Sequence, residues 1–205
     1  MSFAVVLLAA GASSRMGRPK LLLPWGGTSV LGHLLAQWRA LDAAHIAVVC
    51  ATRAEALRAE LDRLGVSPAD HIPNPRPELG MFHSIQCAAR WDGWHAPLTH
   101  WILSLGDQPQ VRAETLRRLL DFAAAHPGKI CQPGRNGRAR HPVVLPAAAF
   151  AGLRSATAAT LKEFLLATPG DRALCEMDDA GLDLYLDHPS DYDRARRLAF
   201  GETSG

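Results

Sequence analysis

The sequence is short of the features that would take it outside the ordinary globular class. Its four cysteines, Cys50, Cys87, Cys131 and Cys175, lie far apart and form no C-x-x-C pair. That argues against a zinc site or a dithiol redox motif and leaves free thiols of a reducing compartment. Charge of one sign is lacking too: 22 Lys and Arg stand against 20 Asp and Glu, mixed along the chain. A net charge of +2 excludes the one-sided basic surface of a nucleic-acid binder. No apolar run reaches bilayer length, and the first, Phe3 to Ala10, has no basic stretch before it. With no signal peptide, membrane helix or lipidation motif, the expected location is the cytoplasm, with neither nucleic acid nor membrane as partner. No stretch is rich enough in Gly, Ser or Pro to act as a linker, and no repeat appears. Residues 1–205 are therefore expected to form one domain, long enough to bury a core without staples.

What is present is an alternation. Phe3 to Ala9 is a continuous apolar run that fits a strand covered on both faces. A long Gly/Ser/Arg/Pro loop follows, to about Gly27. Val30, Leu31, Leu34, Leu35, Trp38 and Leu41 then recur with helical spacing. His45 to Cys50 reads as a second buried strand, Arg53 to Leu64 as a helix stopped by Gly65, and His71 to Pro73 as a short strand. Asn74 to Gly80 is expected to be irregular because of its prolines, and a helix is expected from Ser84 to Arg90. Thr99 to Leu105 predicts a strand and Ala113 to His126 a helix. Further on, Lys129–Gln132, Pro142–Leu145, Arg172–Met177 and Leu184–Asp187 read as strands, while residues 159–168 and Asp191–Phe200 read as helices. This order predicts an α/β fold with a mostly parallel, Rossmann-like sheet between helical layers. Ligands of such sheets bind beyond the carboxyl ends of the strands, which directs attention to the turns after Ala9 and Leu105.

The first turn, Leu8-Ala-Ala-Gly-Ala-Ser-Ser-Arg-Met-Gly-Arg-Pro-Lys20, combines Gly11, Ser13, Ser14 and Gly17 with Arg15 and Lys20. Flexible backbone whose N–H groups can converge on one anion, next to two fixed cations, suits a triphosphate. Familiar phosphate motifs fail on spacing. Five residues separate Gly11 from Gly17 where a P-loop needs four, position 13 breaks G-x-G-x-x-G, and position 15 breaks G-x-S-x-G. The turn resembles the opening signature of the molybdenum cofactor cytidylyltransferases, part of a larger group of MobA-like nucleotidyltransferases acting on sugar-phosphate-type acceptors. The related guanylyltransferases usually carry a second glycine where this chain has Ala10, which favours the cytidylyl branch.

The second turn, Leu103-Ser-Leu-Gly-Asp-Gln-Pro109, places an aspartate at a strand end, where its carboxylate can enter the ligand crevice. Mg²⁺ favours such oxygen ligands and takes few from protein. An Asp that merely makes a turn is the bland alternative. Gly106-Asp-Gln-Pro109 is similar to the family's metal-binding motif, so the resemblance implies Asp107 as a Mg²⁺ ligand.

The later matches rest on the resemblance alone. Asp187-His-Pro-Ser-Asp191 is similar to the family's late Asp-x-x-Pro-x-Asp segment and implies Asp187 as second metal ligand, although it could equally cap the following helix. Asn74 to Ile85 resembles an acceptor-side segment, which implies Gly80 and Ser84 as nucleotide contacts and Asn74 and His83 as acceptor contacts. Arg140-His-Pro-Val143 is similar to a family Gly-His-Pro-Val stretch and implies His141 at the acceptor. Ala9, Ala10, Gly11, Ser13, Ser14, Arg15 and Lys20 are carried over as the triphosphate loop, with Arg15, Lys20 and Asp107 as the catalytic set. The resemblance implies a three-layer α/β/α fold of the nucleotide-diphospho-sugar transferase type with an antiparallel edge. It also implies Mg²⁺ as cofactor and an NTP, here CTP, as donor. The implied acceptor is a phosphorylated pterin, and the implied recipient of the product is a molybdoenzyme. The departures are His83, Arg140 for glycine, His188 for threonine, and residues 156–161, which lack an acid and an arginine usual there. A guanylyltransferase, another sugar- or isoprenoid-phosphate nucleotidyltransferase and a non-catalytic delivery protein stay open as alternatives.

Overall fold

The computed structural model describes residues 1–95, 97–168 and 172–201. In chain order it contains β1 (Phe3–Leu8), β2 (Pro24–Trp25), β3 (Thr28–Ser29), α1 (Val30–Arg39), β4 (His45–Ala51), α2 (Glu55–Arg63), β5 (His71–Asn74), α3 (Met81–Arg90) and β6 (His100–Leu105). There follow α4 (Ala113–Ala125), β7 (Ile130–Arg135), β8 (Arg138–Ala139), β9 (Val143–Pro146), α5 (Ala147–Gly152), α6 (Leu161–Leu166), β10 (Arg172–Glu176) and α7 (Pro189–Phe200).

The main sheet runs β10-β7-β9-β6-β1-β4-β5, with β8 paired to β7. Parallel pairing joins β6, β1, β4 and β5, and also β7 and β10. The antiparallel strand β9 lies inside the sheet, between β6 and β7, rather than at its rim. Helices cover both faces, so strand residues alternate between two cores and neither set can be polar. Val5 and Leu7 pack toward α1, α2, α4 and α7, whereas Val6 packs toward α3, α5 and α6. This is why Phe3 to Leu7 is apolar at every position and at most 5% exposed.

Four expectations need correction. Residues 184–187 form no strand. Their neighbours' carbonyls are taken by side-chain amides instead: Gln108 Nε2 donates to Leu182 O and Leu184 O, and Gln110 Nε2 to Gly181 O and Leu184 O. The helix expected from Ser84 begins at Met81, because Gly80 takes a left-handed φ of 87° that any side chain would resist and so turns the chain into the helix. The long first loop holds two single 3₁₀ turns and the short β2–β3 ladder, and Ala147–Gly152 forms a helix that the periodicity does not announce. The four cysteines are free thiols. Among the described residues no helix is long and apolar enough to cross a membrane.

Candidate active site

The strand order reverses between β1 and β6. From β1 the chain proceeds outward to β4 and β5, then returns to lay β6 against the other side of β1. The two carboxyl ends are in register at Leu8 and Leu105, so the turns that follow leave the sheet side by side. Gly106 N–H donates to Leu8 O at 3.2 Å. A Cβ at position 106 would stand 2.8 Å from Leu21 and 2.9 Å from Leu8 O, so only glycine permits this close crossing. Asp107 emerges directly from it.

The first loop delivers Lys20 to the same place. Ser13 takes a left-handed backbone (φ 50°), and its Oγ accepts from Lys20 N–H at 3.2 Å. Buried Met16 and Leu21 pin the loop on either side. The outcome is a compact charge cluster. Lys20 Nζ donates to Asp107 Oδ2 at 2.7 Å and stands 3.8 Å from Asp187 Oδ1. Arg15 Nη2 lies 3.4 Å from Asp187 Oδ2. Residues 15, 20, 107 and 187, drawn from the beginning, middle and end of the chain, thus meet at one rim. Leu186 N–H donates to Asp107 O at 3.0 Å, which ties the late segment to the second turn. Asp187 is not consumed as a helix cap: Asp191 accepts from His188 N–H at the start of α7.

Asp107 Oδ1 is buried and has no hydrogen-bond partner. Among the described residues no group of three or more His, Cys, Asp or Glu forms a closed metal cage. Two neighbouring carboxylates with an orphaned oxygen do fit a hard divalent ion, since Mg²⁺ retains waters and phosphate oxygens for most of its shell.

A cleft of about 200 Å³ opens beside the cluster. It is lined by Ala9, Ala10, Gly11, Lys20, Gly80, Ser84 and Asp107, together with Leu8, Leu21, Pro77, Met81, Leu105 and Gly106. Ser13 lines a second cleft of about 450 Å³ that shares the Ala9–Gly11 wall and adds Arg53 and Glu55. Ser14 is exposed and lines neither. Asn74 is completely buried, so it holds its neighbours and does not face the cleft. His83 Nδ1 donates to Asn74 Oδ1, 2.9 Å away. His141 is half-buried within electrostatic reach of Asp107; burial pushes its imidazole down to about 4, against the pull of the Asp107 carboxylate and of Leu103 O. It is therefore neutral near pH 7.

The departure at Arg140 is resolved structurally. Its Nε donates to Asp183 Oδ1 at 2.6 Å, and Arg135 binds the other oxygen of the same carboxylate. The bulky cation is thereby turned into a strut. Sequence reasoning missed Gln108 and Gln110, the braces under the Asp187 segment; a pair of glutamines around Pro109 was the available signal. It also missed Tyr185, whose hydroxyl is raised by burial, with Arg140 lowering it and Asp107 and Asp183 raising it further.

The chain matches the family model described as the MobA-like NTP transferase domain over residues 5–173. The bifunctional protein GlmU of Stutzerimonas stutzeri is 37% identical over 122 residues, covering 58% of this chain and 25% of that protein. The chain thus spans about a quarter of the length of this curated relative. Rv0371c of Mycobacterium tuberculosis H37Rv superposes with a TM-score of 0.76 at 28% identity, covering 96% of this chain and 98% of that one. A manganese complex of Rv0371c from the same organism gives 0.68 at 25% identity, covering 96% and 99%. The sheet and its two helical layers are those of the nucleotide-diphospho-sugar transferase fold. The chain therefore belongs to the MobA-like NTP transferase domain family of nucleotidyltransferases.

Proposed function

We propose that this chain transfers CMP from CTP to a phosphorylated acceptor, the molybdopterin cofactor, and releases pyrophosphate. The observation that carries the reading is the Lys20 ammonium at the β1/β6 switch point, 2.7 Å from Asp107 and 3.8 Å from Asp187. A cation and two carboxylates converge there beside a cleft lined by backbone of the glycine loop. Ala10 on that wall favours the cytidylyl branch of the family.

In the reaction, an acceptor phosphate oxygen bonds to the α-phosphorus while the bond from that phosphorus to the bridging oxygen breaks. The electron pair leaves with pyrophosphate. The attacking oxygen is already anionic, so the chain needs no general base, in keeping with the neutral His141. Positioning and charge neutralisation remain as the work to be done. Lys20 and Arg15 offset charge on the triphosphate and on the departing pyrophosphate. Asp107 and Asp187 would hold Mg²⁺, which supplies further neutralisation of phosphate charge. The manganese complex of a relative at 25% identity supports a divalent ion in this family.

A screen of CTP, GTP, UTP and ATP against molybdopterin and other phosphorylated acceptors, read by pyrophosphate release with Mg²⁺, tests the proposal. Release confined to CTP and the pterin is the expected result. Turnover only with GTP, or only with a sugar or isoprenoid phosphate, would replace the substrate assignment. Triphosphate binding with no release under any pairing would point to a non-catalytic delivery protein.

A further inference from the structure

We propose that Asn74 is a positioning residue that sets the polarity of Ser84, leaving the serine hydroxyl as a hydrogen-bond donor to an anion in the cleft. The inference rests on the reading that this cleft takes a polyphosphate. It replaces a direct contact by Asn74, which its complete burial at the end of β5 rules out.

The assignment starts from an unambiguous donor. Arg76 N–H, a backbone group, lies 2.9 Å from one side-chain atom of Asn74, so that atom must be the oxygen, Oδ1. The amide nitrogen, Nδ2, is then the atom 2.9 Å from Ser84 Oγ. Nδ2 can only donate, so Ser84 Oγ accepts. A hydroxyl has one hydrogen, and accepting from Asn74 leaves it unspent. Ser84 Oγ has no other hydrogen-bond partner in the first turn of α3 or elsewhere among the described residues. Ser84 is only 4% exposed and lines the cleft together with Lys20, Gly80 and Asp107. The free O–H therefore adds a neutral donor to the same space as the Lys20 ammonium. The same orientation fixes His83. Asn74 Oδ1 lies 2.9 Å from Nδ1, so Nδ1 carries a hydrogen, and the neutral ring is the Nδ1–H tautomer. The Cys87 sulfur, 3.8 Å from Nδ1, is the longer contact.

Replacing Asn74 by Asp isolates the claim. A carboxylate of the same shape still accepts from Arg76 and His83, but it offers no N–H to Ser84. The serine would then donate inward and lose its donor toward the cleft. Binding of pyrophosphate with Mg²⁺, measured by calorimetry on the full chain, should weaken about tenfold in N74D, as expected for one hydrogen bond to a charged group. S84A should weaken it by a similar factor. The double variant N74D/S84A should be no weaker than either single variant, because both changes remove one donor. Unchanged binding in N74D would overturn the proposal. So would additive losses of about a hundredfold in the double variant, which would mean that the new charge acts by itself. A second readout needs no variant: imidazole nitrogen shifts of wild-type His83 should report the Nδ1–H tautomer. An Nε2–H tautomer would overturn the orientation even if N74D fails to fold. Wild-type protein that binds no pyrophosphate yet shows the Nδ1–H tautomer would sink the polyphosphate reading and leave the Asn74–Ser84 orientation standing.

Discussion

The site contains two cation–carboxylate pairs of the same chemistry in different surroundings. Lys20 and Asp107 form the inner pair, with side chains 16% and 20% exposed. Arg15 and Asp187 form the outer pair, at 63% and 39%. The inner pair is short and is braced by backbone on both sides. Lys20 N–H is held by Ser13, and Asp107 follows a glycine that presses on β1. The outer pair is longer and more exposed, hence open to screening by salt, so it contributes little to holding either partner in place. The inner pair is therefore the preorganised part of the site, whereas the outer pair can rearrange around whatever enters.

Substitutions in the two pairs should lower pyrophosphate release to different degrees. D107A should be the most damaging, lowering kcat/KM by at least ~10²–10³ while thermal unfolding stays cooperative. Near-normal turnover in that variant would end the assignment. K20A should cost about 10², and its loss should appear in triphosphate affinity as well as rate. D187N should cost roughly tenfold, with part of the activity regained as Mg²⁺ is raised, since a weakened metal site can be refilled by mass action. R15A should cost only a few-fold at low salt, and the gap from wild type should close as ionic strength rises past the screening regime, about 0.15 M. If R15A proves as harmful as K20A, or its loss ignores salt, the distinction between inner and outer pair is wrong.

Much of the site was legible because its parts are local in sequence. The glycine loop and the Gly106-Asp-Gln-Pro109 turn each combine backbone permissiveness with a charged group in a short window, and both end a buried apolar run. Strand periodicity was enough to send both turns to the same edge of a parallel sheet. Asp187 was not legible in that way. As a segment it reads equally well as a strand end or a helix cap, and only Leu186 N–H to Asp107 O, with the glutamine braces, brings it to the rim. Arg140 likewise looks like an intruding cation until Asp183 is seen to bind it. Asn74 looks like a ligand contact until its burial is known.

The alternation of buried strands and helices and the chemical content of two turns follow from local sequence, because hydrophobic periodicity and turn residues act over a few neighbouring positions. Which carboxylates reach Lys20, which polar groups face inward and where β9 runs against its neighbours emerge only in the folded arrangement. Those outcomes depend on strand order and on hydrogen bonds between residues far apart in the chain, such as Lys20 with Asp107, whose energies are set only once both ends have been removed from water together.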